Sequence, residues 1–92
     1  MEMTVQMKTF HPIRSTFVDA SAPHPANTQY RVSVGNEFFE NVPQTVVVVQ
    51  MVYNGKVEGR KSPAFPANSD DFFRVSKAAN ELIGSLEQGR DQ

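Results

Sequence analysis

The sequence predicts an α+β fold: an antiparallel β-sheet of four to five strands with one C-terminal amphipathic helix packed on one face. Three patterns carry that expectation. Polar and apolar residues alternate over 29–34. β-branched residues crowd 45–53 ahead of Asn54-Gly55. Apolar residues then recur every three or four positions from Phe72 to Leu86.

Met3, Val5 and Met7 alternate with Thr4, Gln6 and Lys8, as in a half-buried strand. His11-Pro12 interrupts the pattern, because proline brings no N–H to a ladder. Residues 13–18 then form a second strand or a continuation beyond a bulge. Two prolines among small polar residues make 19–28 a loop. In 29–34, Tyr30, Val32 and Val34 share one face, with Arg31 and Ser33 on the other. Gly35-Asn36 suits a type II′ turn, after which 37–42 returns as a short strand before Pro43.

Residues 45–53 (TVVVVQMVY) read as the strongest strand. Asn54-Gly55 fits a type I′ turn, where both central residues need φ > 0, and 56–62 is the return strand. Residues 62–66 exit in extended form. The helix starts at Asn68 or Ser69 as cap, with Asp70 and Asp71 at the positive end of its dipole. Phe72, Val75, Ala79, Leu82, Ile83 and Leu86 form its apolar stripe. Gly89 is placed to end it, leaving a frayed tail.

Ninety-two residues suit one domain, 1–92, because two cores of half that size would each be too small to hold. A hydrophobic fraction of 39% against 21% charged residues is that of a folded chain. Net charge is −1, so no whole-molecule field draws the protein to nucleic acid or membrane. The absence of cysteine excludes disulfides, thiolate metal sites and thiol nucleophiles. No apolar run reaches the length of a signal-peptide core or a membrane span, and a cytoplasmic location is expected.

The Asn54-Gly55 register pairs Tyr53 with Lys56, Val52 with Val57 and Met51 with Glu58, continuing to Gln50 with Gly59, Val49 with Arg60 and Val48 with Lys61. One face then holds Val46, Val48, Val52 and Val57 and is the expected seat of the helix. The opposite face holds Val47, Val49, Met51 and Tyr53 beside Lys56, Glu58 and Arg60. It is too apolar for water and too charged for a core, so an interface through Val47, Val49 and Met51 is expected there.

Lys56, Arg60 and Lys61 form the one basic cluster, with Tyr53 across the hairpin. Charges that track phosphates beside a ring that stacks on a base suit single-stranded nucleic acid, and Arg14 and Arg31 extend the patch if their strands lie alongside. Competing motifs are weak. GKVEGRKS has the wrong spacing for a phosphate loop, and in RKSPAFP Phe65 is better placed in the core than in a polyproline ligand. His11 and His24 lack metal-ligand spacing, and no nucleophile elbow accompanies Asp19 and His24.

Residues 45–86 present VVVVQMVY, NGKVEG, GRKSPAF and DDFFRVSKAANELI in succession. That order loosely resembles the C-terminal domain of the PC4 transcriptional coactivators. The resemblance implies a ββββα dimer that binds single-stranded DNA, with Lys56, Arg60 and Lys61 as its contacts. The expected function is therefore a small non-catalytic binding module, a homodimer, that binds single-stranded nucleic acid through its hairpin face. The alternative is a protein–protein interaction or assembly protein that uses its second apolar sheet face. No cofactor, metal or membrane partner is expected.

Overall fold

The computed structural model describes residues 10–90, with side chains through Glu87. The alternating segment from Met3 to Met7 lies outside the described residues. Strands β1 (His11–Asp19), β2 (Thr28–Phe39), β3 (Val42–Tyr53) and β4 (Lys56–Glu58) form an antiparallel meander in that spatial order, and helix α1 (Asp71–Arg90) packs on one face. The α+β class follows directly. The helix runs through Gly89 instead of stopping there.

Asn54 and Gly55 adopt φ of 52° and 81°, the left-handed values a type I′ turn requires. The register they set is the expected one: Tyr53 faces Lys56, Val52 faces Val57 and Met51 faces Glu58. The return strand, however, stops after three residues. Gly59 and Arg60 turn away, and the Lys61 N–H donates to the Glu58 carbonyl at 3.2 Å. The expected pairs of Gln50, Val49 and Val48 with Gly59, Arg60 and Lys61 do not form.

The second hairpin differs from expectation more deeply. Gly35-Asn36 is not a turn; β2 runs straight through it, and the chain reverses at Glu40-Asn41, with φ of 51° and 69°. Gly35 answers a different need. The β1–β2 register shifts between Pro12 and Arg14, a bulge that accommodates the proline. There the β1 backbone crosses so closely that a Cβ on Gly35 would collide with the His11 carbonyl oxygen and lie 2.7 Å from the Pro12 Cα.

Moving the turn to Glu40-Asn41 decides which face is the core. Tyr30 pairs with Met51, Val32 with Val49 and Val34 with Val47, so the apolar faces of β2 and β3 coincide. The helix lays Val75, Ala79 and Leu82 on this face, around a buried cluster of Tyr30, Val32, Met51 and Val75. Each fully buried aliphatic side chain contributes about 1.5–3 kcal/mol here. The face bearing Val46, Val48, Val52 and Val57 is the one turned away from the helix, the reverse of the expected seating.

The inward stripe of α1 also begins one residue earlier than expected, at Asp71. Phe72 and Phe73 are consequently 64% and 65% exposed, whereas Asp71 is fully buried.

Candidate interaction surface

Two sets of side chains stand out: a buried polar network at the helix N-terminus, and a group of apolar side chains left at the surface. The network is internally complete. The Asp71 carboxylate accepts the Ser21 N–H at 2.8 Å, the Ser21 hydroxyl at 2.5 Å and an Arg74 guanidinium N–H at 2.6 Å. The Tyr30 hydroxyl lies 2.8 Å from Asp71 Oδ2 and 2.9 Å from the Ala64 carbonyl, two acceptors for one proton. His24 Nε2 is 2.8 Å from that same carbonyl, which only accepts, so this nitrogen carries the proton.

Burial alone raises the Asp71 pKa. The Ser21 side-chain and backbone bonds outweigh it, with Tyr30 and Arg74 adding to them, and hold the carboxyl well below its ordinary range. Burial first, then the hydrogen bond and charge of Asp71, push the Tyr30 phenol well above its ordinary range. A charged carboxylate locked by four donors, against a phenol held neutral, is a structural tie: it pins the 20–27 loop and the 59–70 segment to the helix start. A carboxylate at an inward position of the helical stripe was its one signal in the sequence.

The basic residues do not gather on one surface. Lys61 Nζ lies over the Tyr53 ring, 5.8 Å from its centroid, and Lys56 is the cross-strand neighbour of Tyr53. Arg60 is exposed in the turn after β4. Arg31 lies on the opposite sheet face, between Phe17 of β1 and Gln50 of β3. Arg14 points to the helix side at the far edge, where it donates to the Ser85 hydroxyl at 2.8 Å. The Tyr53 ring packs against the core cluster, with Lys61 on it.

The residues expected at an interface are redistributed too. Met51 is buried in the core and Val49 packs against it, both beneath the helix face. Val47 alone of the three is exposed, at 39%. In place of that expected interface, apolar side chains reach solvent elsewhere. Phe38, Phe39 and Val42 are about half exposed around the Glu40-Asn41 turn; Phe72 and Phe73 project from the helix start; Ile13 and Phe17 lie on β1. A groove of about 320 Å³ with a mixed lining runs beside the β3 edge, formed by Val34, Val46, Val47, Ile83 and Leu86 together with Thr45 and Glu87.

Among the described residues no cluster of His, Asp and Glu is arranged to hold a metal ion, and no helix is long and apolar enough to cross a membrane. No protein-family model matches the chain, and no curated protein or solved structure matches it.

Proposed function

We propose that this chain is a non-catalytic interaction module that works by docking protein surface, its own included. The observation that carries this reading is the placement of phenylalanine. The chain has seven, and Phe17, Phe38, Phe39, Phe72 and Phe73 are all exposed. A scattering of surface apolar residues is ordinary, but exposed aromatics grouped at a hairpin tip and a helix start mark contact surface. The buried polar network supports the same reading, since its groups satisfy one another and leave none to act on a substrate.

Single-stranded nucleic acid has less support. A base-stacking ring must be free, and Tyr53 is packed from below and covered by Lys61. Arg31 sits on the opposite face from Lys56, and Arg14 lies on β1 at the far edge of the sheet, so they add no continuous phosphate track.

Sedimentation velocity across a concentration series tests the proposal. The expected result is a dimer or larger species at micromolar concentration, shifting toward monomer on dilution. An invariant monomer overturns it. Low-salt binding of a labelled single-stranded oligonucleotide, lost in a folded Lys56/Arg60/Lys61→Ala variant, would replace it with the nucleic-acid reading.

A further inference from the structure

We infer that the outer edge of β3 is a homodimer seam, in which residues 44–50 of two copies pair antiparallel about a twofold axis at Val47. The inference rests on the interaction-module reading and gives it a partner and a second surface, distinct from the exposed phenylalanines.

Residues flanking a two-residue hairpin turn exchange both of their backbone hydrogen bonds. Phe39 and Val42 flank Glu40-Asn41, so Val42 and the even-numbered residues of β3 direct N–H and C=O toward β2. Tyr53 and Lys56 flank Asn54-Gly55, so Tyr53 and the odd-numbered residues direct theirs toward β4. But β4 reaches only as far as Met51. The backbone groups of Thr45, Val47 and Val49 therefore face outward, and no strand among the described residues pairs with them.

Both limits of this open edge are chemical. At one end stands Pro43, an odd-numbered residue whose nitrogen faces outward, where a strand tolerates the missing donor. At the other end Met51 is already paired with Glu58. Among the described residues the free stretch between them is 44–50, and its midpoint is Val47.

Its sequence, Gln-Thr-Val-Val-Val-Val-Gln, reads almost alike in both directions. Antiparallel pairing about Val47 sets Val47 opposite Val47, Val46 opposite Val48, Thr45 opposite Val49 and Gln44 opposite Gln50. β-branched residues then meet β-branched residues at every inner position, and the terminal amides meet each other. No residue from 42 to 50 is ionisable, so the strand itself carries no charge to repel a second copy, whereas natural edges that must stay unpaired carry lysine or other charge. An isologous contact needs this self-complementarity, and it points to a second copy in preference to a foreign strand.

The surroundings leave room. A groove of about 430 Å³, lined in part by Val48, Gln50, Gly59, Lys61 and Pro63, separates β3 from the segment after β4 and receives the end of the incoming strand. Across the twofold axis, the groove of Val47, Ile83, Leu86 and Glu87 meets its copy.

The native chain lacks cysteine, so one introduced thiol per chain reports the geometry without background. Hydrogen-bonded antiparallel partners have Cα atoms about 5.5 Å apart, within disulfide range. Val47→Cys should therefore convert to a covalent dimer under mild oxidation. Thr45→Cys is the control: Thr45 is exposed, but its copy lies about 14 Å away in this register, and it should stay uncrosslinked. Val47→Pro removes an outward N–H while sparing the β2 ladder, and should raise the dimer dissociation constant at least tenfold with the circular dichroism of the fold retained. A wild-type dimer in which Val47→Cys fails to crosslink, or crosslinks no better than Thr45→Cys, overturns the seam and leaves the module reading intact. An invariant wild-type monomer overturns both.

Discussion

At the end of the sheet where Tyr30 and Met51 pair, the molecule buries a carboxylate and surrounds it with donors; at the end where β2 and β3 reverse, it exposes apolar side chains. The first end carries Asp71, Ser21, Tyr30 and Arg74, a carboxylate and its donors tying a loop, a strand and a helix together. The second carries Phe38, Phe39 and Val42 with Glu40 and Asn41 at left-handed φ between them. Stability and association are thus assigned to different ends. Substitutions at the first should alter folding, and substitutions of the exposed apolar side chains at the second should alter what the folded chain meets.

The largest expected effect is at Asp71. Asp71→Ala leaves the Ser21 N–H and hydroxyl without their acceptor, while Arg74 keeps its bond to Asp70. The loss should be about 3–5 kcal/mol, since each hydrogen bond to a charged group contributes about 1.5–3 kcal/mol. In a domain of this size that approaches global unfolding, visible in a urea titration. The pH dependence separates the two titratable members. The folded Asp71 pKa lies below its ordinary value, so unfolded chains take up the proton first as pH falls. Its contribution is present above the ordinary carboxylate pKa of about 3.9 and is lost progressively below it. The folded Tyr30 pKa is raised, so its contribution is present below an ordinary value of about 10 and is lost as pH climbs above it. Asp71→Asn should flatten the acid limb of stability against pH, and Tyr30→Phe the alkaline limb. Unchanged limbs would mean the network does not couple to folding.

Gly35 lies between the two ends and should show an intermediate effect. Gly35→Ala places a methyl group against the backbone of His11 and Pro12, and backbone yields less readily than a side-chain tip. A loss of about 1–3 kcal/mol is expected. Hydrogen exchange should quicken in the first residues of β1 while Tyr30 and Val32 stay protected. Uniform loss of protection would show that the close approach is part of the core and not a local crossing.

Legibility followed the turns. Asn54-Gly55 is unambiguous, and the register it sets was readable as far as Met51 with Glu58, where β4 ends. Glu40-Asn41 carries no glycine, while Gly35-Asn36 presents a plausible false turn five residues earlier. That one displacement concealed the match of Tyr30, Val32 and Val34 with Met51, Val49 and Val47, so the two apolar faces of β3 were ranked the wrong way round. The helix was legible from its period, but the stripe was read from its apolar members alone. Asp71 occupies an inward position with a charge; Arg74 is a local partner, but Ser21 and Tyr30, which supply its other donors, are distant. Contacts of fifty and forty-one residues' separation leave no local trace.

The smallest expected effect compares the two hairpins directly. Asn54-Gly55 meets the left-handed requirement with the residues that tolerate it best, whereas Glu40 holds φ of 51° with a Cβ crowding the following carbonyl. Such a conformation costs about 1–2 kcal/mol for an ordinary L-residue and less for asparagine. Glu40→Asn with Asn41→Gly would give the second hairpin the same turn pair as the first. Relief at position 40 opposes the wider unfolded freedom of the new glycine, about 0.5–1 kcal/mol, so the expected net gain is about 0.5 kcal/mol. A urea midpoint raised by that margin, with the slope unchanged, is the expected outcome. Because the turn lies outside 44–50, sedimentation of the variant should match that of the wild type. A midpoint unchanged or lowered would show that the Glu40 side chain holds the tip by contacts that offset its strain, and the hairpin tip would then share in folding as well as in association.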